Sequence, residues 1–251
     1  MDHYYNPMRI LLLSDIHANF PALQAIEDYF STTSFDSIVN CGDSLVYAPF
    51  PNETLDWLRQ HKVVSILGNT DRKVLEILSG EPFLKPRKVD KRIMYTSTVS
   101  ALTSENKQYL KTFTLSATVP LTGETENSSS SLCLFHGSPA DPDEFLFPDT
   151  PDKHFKALAK HLSCSIVVTG HSHMPYTKYF KKHLFINPGS AGRMFDSDPR
   201  SSCAVLEVTS SGPSVQHYRI PYNIDQVVSA IREQDLPEIY ATMFQIGEKL
   251  N

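Results

Sequence analysis

Five short, largely apolar runs in this chain each deliver a polar, metal-capable side chain at their C-terminal end. Ile10–Leu13 leads into Asp15-Ile16-His17, Ser37–Asn40 into Gly42-Asp43, and Val63–Leu67 into Gly68-Asn69. Leu132–Phe135 leads into His136-Gly137, and Ser165–Val168 into Gly170-His171-Ser172-His173. Runs of this length read as buried strands. The segments after the first two, Pro21–Phe30 and Pro51–Gln60, read as helices with proline in the first turn, where a missing N–H costs little. A β-α-β-α-β opening implies a parallel sheet with right-handed crossovers, and such sheets place their sites beyond the carboxyl ends of their strands. His171 and His173 are the sharpest pair. Alternate residues of extended chain face opposite ways, so both serve one site only if the backbone curls around it.

Taken singly, these residues have plainer readings. Asp15 or Asp43 alone is a helix cap, Asn69 a turn former, and His136 a hydrogen-bonded strand end. Their joint occurrence at five strand ends reverses that. Two carboxylates, four imidazoles and an amide form a donor set suited to Mn²⁺, Fe, Ni or Zn. The glycines at four of these ends allow sharp turns at the sheet edge. His3, His61, His154, His161, His183 and His217 match no such pattern.

The 251 residues, 41% of them hydrophobic, suffice for one sizeable core, and the net charge of −5 argues against general nucleic-acid binding. The densest basic stretch, Lys85 to Arg92, holds Lys85, Arg87, Lys88, Lys91 and Arg92 with Asp90 among them. It reads as a solvated loop or strand edge, with contact to an anionic substrate or partner as the alternative. Cys41, Cys133, Cys164 and Cys203 form no Cys-x-x-Cys pair and sit beside apolar runs, so they read as buried reduced thiols. Met1–Pro7 lacks the apolar region of a signal peptide, and no run of 18 apolar residues occurs. A cytoplasmic location without membrane contact is the expectation.

Further along, Asp71–Leu78 reads as a helix, and Thr98–Phe113 as another with Leu102, Tyr109, Leu110 and Phe113 on its apolar face. Leu115–Leu121 and Leu132–Phe135 read as a hairpin around the polar segment Thr122–Ser131. Pro139–Pro151, with four prolines, should be an irregular loop bordering the site after His136. Helix Asp152–His161 follows, and then strands at Tyr176–Phe180, Leu184–Ile186, Cys203–Val208 and Val215–Ile220. Helices Ile224–Glu233 and Pro237–Lys249 end the chain. One domain over 1–251 is expected, with a core at about 8–220 and the two last helices, about 223–250, packed on it.

In chain order, Asp15-x-His17, Gly42-Asp43, Gly68-Asn69, His136-Gly137 and Gly170-His171-x-His173 resemble the calcineurin-like metallophosphoesterase superfamily. Ser14-Asp15-Ile16-His17-Ala18-Asn19, Asn187-Pro188-Gly189-Ser190, and Asp198-Pro199-Arg200 before Cys203-Ala204-Val205 are similar to its compact YfcE-like phosphodiesterase branch. The resemblance implies an α/β (α+β) fold, a four-layer αββα sandwich of two mixed sheets flanked by helices. It also implies two divalent cations, Mn²⁺ foremost, with Fe, Ni, Zn or Mg as alternatives. Asp15, His17 and His173 would hold one, Asn69, His136 and His171 the other, and Asp43 would bridge. A metal-activated hydroxide would then attack a phosphodiester or phosphomonoester. On the same site, hydrolysis of dinucleoside polyphosphates or phosphoproteins is an alternative, and a non-catalytic interaction scaffold is the reading from another class. A small-molecule or nucleotide phosphate ester is the implied partner, with a homo-oligomer compatible.

One position departs from the family pattern. Many members carry His after the Asn of the third motif, as proton donor to the leaving group; here the motif reads Gly68-Asn69-Thr70-Asp71. A hydroxyl holds its proton too tightly for that task. Either the substrates have good leaving groups, or another group such as Asp71 supplies the proton. Asn19, Arg193 and Arg200 are candidate substrate contacts beside Asn69, the arginines through their bidentate forks.

Overall fold

β1 (Met8–Leu13) divides its side chains between two cores, as the period of a strand requires. Leu11 and Leu13 join one apolar cluster, and Ile10 and Leu12 join another. The computed structural model describes residues 7–121, 131–180 and 182–251. β1 is followed by α1 (Phe20–Tyr29), β2 (Ser37–Asn40), α2 (Pro51–Gln60), β3 (Val64–Ser65) and α3 (Asn69–Leu78). Next come α4 (Val89–Ala101), α5 (Ser104–Leu110), β4 (Ser116–Pro120), β5 (Ser131–Phe135) and α6 (Asp152–Ala159). β6 (Ile166–Val168), β7 (Tyr176–Phe180), β8 (His183–Asn187), β9 (Ser201–Thr209) and β10 (Gly212–Ile220) precede α7 (Ile224–Glu233) and α8 (Glu238–Ile246).

These strands form two five-stranded mixed sheets, ordered β10-β9-β1-β2-β3 and β4-β5-β6-β8-β7. β1, β2 and β3 run parallel in the first; β5, β6 and β8 run parallel in the second. The sheets face each other through Ile10, Leu12, Val39 and Ile66 on one side and Leu132, Leu134, Ile166, Val168 and Ile186 on the other. Outside the first sheet, Leu11 and Leu13 pack with Leu23 and Ile26 of α1, Leu55 and Leu58 of α2, and Val227 and Ile231 of α7. Outside the second, Val167 and Phe185 pack with Phe155 and Leu158 of α6. Each such side chain taken from water contributes about 1.5–3 kcal/mol. The result is the four-layer αββα arrangement.

Two expectations from the sequence are corrected. The single helix over 98–113 is two helices, because Thr103 leaves the helical conformation and its hydroxyl caps α5 by accepting from the Asn106 amide at 3.2 Å. The four cysteines are not all reduced: Cys133 and Cys164 form a disulfide with a Cα–Cα distance of 6.0 Å. Parallel pairing of β5 with β6 brings them together across 31 residues of sequence, which spacing alone could not show. Cys41 and Cys203 are free and buried. The hairpin of β4 and β5 is antiparallel as expected, and residues 122–130 of its turn lie outside the described residues. Among the described residues, no helix is long and apolar enough to cross a membrane.

Candidate metal centre

The loops after the parallel strands are zipped together by their own backbones. Asp15, His17 and Ala18 amides donate to the carbonyls of Gly42, Asp43 and Ser44 at 2.8–2.9 Å. Within the second sheet the Gly170 amide donates to the His136 carbonyl at 2.9 Å, and across the sandwich the Ala191 amide donates to that of Ser14 at 2.8 Å. Both sheets therefore present their strand ends to one place. The cost is backbone strain: Asp15, His17, Asp43, His171 and His173 all have φ between 52° and 64°. Left-handed conformations in non-glycine residues cost of order 1–3 kcal/mol each and persist only where surrounding structure enforces them. Here they curl the chain so that His171 and His173 turn toward one centre.

The seven side chains converge in two groups. Ligand atoms of Asp15, His17 and His173 lie within 4.8 Å of one another, and so do those of Asp43, His136 and His171. In the first group, His173 Nε2 is 3.3 Å from His17 Nε2 and 3.4 Å from Asp15 Oδ1. In the second, the Asn69 amide places one end 2.9 Å from His171 Nδ1, 3.1 Å from His136 Nε2 and 3.2 Å from Asp43 Oδ2. Asp43 stands between the groups, Oδ1 being 3.6 Å from His136 Nε2 and Oδ2 3.8 Å from His17 Nε2.

Backbone carbonyls decide which imidazole nitrogen faces inward. His136 Nδ1 donates to the Cys41 carbonyl at 2.7 Å, His17 Nδ1 to that of Leu45 at 3.3 Å, and His173 Nδ1 to that of Arg193. In each neutral ring Nε2 is then an unprotonated lone pair aimed at the centre, the arrangement that protein sites use to orient metal-binding histidines. Burial, then neighbouring positive groups, hold His17 and His173 well below the usual histidine range; burial, then His136, push His171 down to about 4. Burial and the nearby Asp43 carboxylate raise the Asp15 carboxyl, against the 2.7 Å hydrogen bond from Ser14 Oγ. Lone pairs of two imidazoles facing each other at 3.3 Å repel without a positive charge between them. Two divalent cations fit this donor set, and the mixture of N and O ligands suits a transition metal.

Aromatic rings wall the centre, and sequence reading did not pick them out. Phe145, on the loop after β5, stacks on His171 at 3.9 Å; Phe195 stacks on His173 at 4.1 Å; Tyr47 meets His17 edge-on at 5.1 Å. The residues flanking the donor set have other partners. Thr70 donates its hydroxyl to the Leu45 carbonyl at 3.0 Å, while its amide donates to Asp43 Oδ1 at 2.8 Å. Asp71 is fully buried and accepts from the amides of Ser44, Leu45 and Gly68, each at 3.1 Å, tying the β2 loop to the start of α3. Burial and Asp43 push its carboxyl up to about 7. Asn19 caps α1 and donates to the Gly192 carbonyl at 2.8 Å. Arg200 forks onto Asp198 at the surface. Arg193 is buried, its guanidinium 3.9 Å over the Tyr47 ring.

This geometry has relatives. The chain is 28% identical over 259 residues to an uncharacterized protein of Methanocaldococcus jannaschii, covering 96% of each. A metallophosphoesterase structure from Sphaerobacter thermophilus matches 96% of this chain and all of its own at 26% identity and a TM-score of 0.77. A hypothetical protein from Pyrococcus horikoshii shares the fold with a TM-score of 0.82 at 18% identity, over 96% of this chain and 99% of its own. The calcineurin-like phosphoesterase superfamily domain matches residues 8–211, which span every strand but β10 and every strand-end loop of the centre, and the chain belongs to that superfamily.

Proposed function

We propose that this chain is a binuclear metal-dependent hydrolase of phosphodiesters or phosphomonoesters. The observation that carries the reading is the convergence of the two ligand groups through Asp43. Asp15, His17 and His173 would hold one cation; Asn69, His136 and His171 the other; Asp43, with an oxygen toward each group, would bridge them. When bound, such a pair supplies Lewis acidity toward phosphoryl oxygens and a nucleophile drawn from water near neutral pH. The protein's own part is orientation. The carbonyls of Cys41, Leu45 and Arg193 keep three imidazoles turned inward, and the Thr70 amide holds one Asp43 oxygen.

Leaving-group protonation is the step this chain leaves thin. The Thr70 hydroxyl is committed to a carbonyl, and Asp71 is enclosed by three amides. Substrates whose leaving groups depart as stable anions therefore fit best. Thr70→His should raise kcat about 100-fold for esters with alkoxide leaving groups, the lower end of general-acid effects, and far less for aryl esters. Steady-state rates on a matched alkyl and aryl pair check this; an equal gain on both would remove missing acid catalysis as the explanation.

The direct test of the reading is metal analysis with hydrolysis of an aryl phosphodiester. Protein purified without chelator should carry close to two transition-metal equivalents and lose activity on chelation. Returning Mn²⁺ to 100 times its Kd should restore activity and raise the Tm of the chelated protein by about 5–10 °C. A Tm unmoved by Mn²⁺, with no metal-dependent hydrolysis, would refute the proposal.

A further inference from the structure

Arg193 and Lys249 share one aromatic ring beside the first ligand group, Lys88 and Lys91 act on them through their charge, and none of the four forms an ion pair among the described residues. Arg193, on the loop after β8, is only 5% exposed and faces rings instead of carboxylates: Tyr47 at 3.9 Å, Phe195 at 4.9 Å and Tyr240 at 5.6 Å. Its Nε is buried without a hydrogen-bond partner, and its other contacts are neutral, to Met243 Sδ at 3.1 Å and Asn251 Oδ1 at 3.4 Å. Lys249 lies 5.6 Å over the same Phe195 ring. Lys91 is half-buried in the first turn of α4; burial first, and then the positive charges of Lys249, Arg193 and Lys88, push its ammonium down to about 8. Lys249 in turn feels Arg193 and Lys88. The carboxylate on the same segment, Asp90, is exposed and acts on the Tyr240 hydroxyl.

Like charges drawn from three separate parts of the chain repel one another, and the carboxylate that acts on the buried Arg193 guanidinium, Asp43, makes no ion pair with it, which leaves the burial costly. Such a cluster is stabilised by an anion. Its place is equally specific: the Phe195 ring under Arg193 and Lys249 is the ring stacked on His173. We propose that Lys88, Lys91, Arg193 and Lys249 form an anion site that takes a second phosphoryl group of the substrate, which makes the preferred substrate a phosphoanhydride such as a nucleoside polyphosphate. The substrate class rests on the hydrolase reading above; the anion site itself does not. In the reaction, water oxygen bonds to phosphorus, and the P–O bond to the neighbouring phosphoryl group breaks. That group leaves with the electron pair as a phosphate anion among the cations, and the water's proton passes to solvent. No proton donor is needed at the leaving group, which agrees with threonine at position 70.

The probe is tripolyphosphate, titrated by calorimetry into full-length, chelator-treated protein so that metals do not contribute. The wild type should bind it, and the double variant Lys91→Gln/Lys249→Gln should bind at least ten-fold more weakly with an unchanged circular dichroism spectrum. Lys111→Gln/Lys160→Gln, two exposed lysines elsewhere, should keep wild-type affinity within two-fold. Absence of binding by the wild type, equal affinity in the first variant, or an equal loss in the second would overturn the site. Should binding follow the expected pattern while metal-dependent hydrolysis is absent, the hydrolase reading fails and the anion site stands.

Discussion

Asp43→Asn should lower kcat for an aryl phosphodiester by on the order of 10³-fold or more, about 4 kcal/mol of transition-state stabilisation, while leaving the fold intact. Asparagine keeps the shape and the oxygen that accepts from the Thr70 amide at 2.8 Å. It removes the charge and the second anionic oxygen, the atom facing His17 Nε2 at 3.8 Å, so one side of the proposed bridge is lost. The same substitution relieves a repulsion, since Asp43 is one reason the buried Asp15 carboxyl is raised. Chelated Asp43→Asn protein should therefore melt at or above the temperature of chelated wild type. Steady-state kinetics with saturating Mn²⁺ and thermal melts in chelator check both halves. Near-wild-type turnover would show that Asp43 does not bridge.

Gly68→Ala should cost both stability and metal binding. Gly68 has an ordinary φ, so the objection is room and not conformation. A Cβ there would fall within van der Waals contact of the Asp43 amide and carboxylate, 2.7 Å from Cγ. Neither neighbour yields cheaply. The Asp43 backbone is pinned by the His17 amide donating to its carbonyl at 2.9 Å, and its carboxylate by Thr70. Overpacking of this kind costs typically 1–3 kcal/mol, and displacing a ligand by about 1 Å costs roughly 100-fold in rate. Tm should fall by about 2–12 °C for a chain of this size, together with loss of at least one of the two metal equivalents. Wild-type metal content and Tm would mean that the two loops have freedom the packing denies them.

Much of the architecture was legible because burial and strand periodicity leave marks in sequence. Alternating Ile10, Leu11, Leu12 and Leu13 between two cores requires apolar residues at every position, and that continuous run is what identified β1 as a strand covered on both faces. The same logic located β2, β5 and β6. Helix starts were legible where proline occupies the first turn, as at Pro51. They were missed where a cap interrupts an otherwise helical pattern: Thr103, inside a run of helix-compatible residues, divides it. The disulfide escaped for a different reason, since pairing of β5 with β6 is a long-range event that Cys133 and Cys164 do not encode locally.

Around the centre, the amino-acid sequence by itself determined which chemical groups are present and that they lie at strand ends: two carboxylates, four imidazoles, an amide, and threonine where a proton donor is usual. Only the tertiary structure decided how they meet. Backbone carbonyls of Cys41, Leu45 and Arg193 choose the inward nitrogen of three histidines, and every residue has a carbonyl, so no motif announces which one will serve. The left-handed turns at five of the donors are likewise enforced by the zipped loops and not by residue type, since none of the five is glycine. Arg193 and Arg200 look alike in the chain. Packing buries one beside the centre and leaves the other on a surface carboxylate, because burial depends on what the rest of the fold brings over a residue.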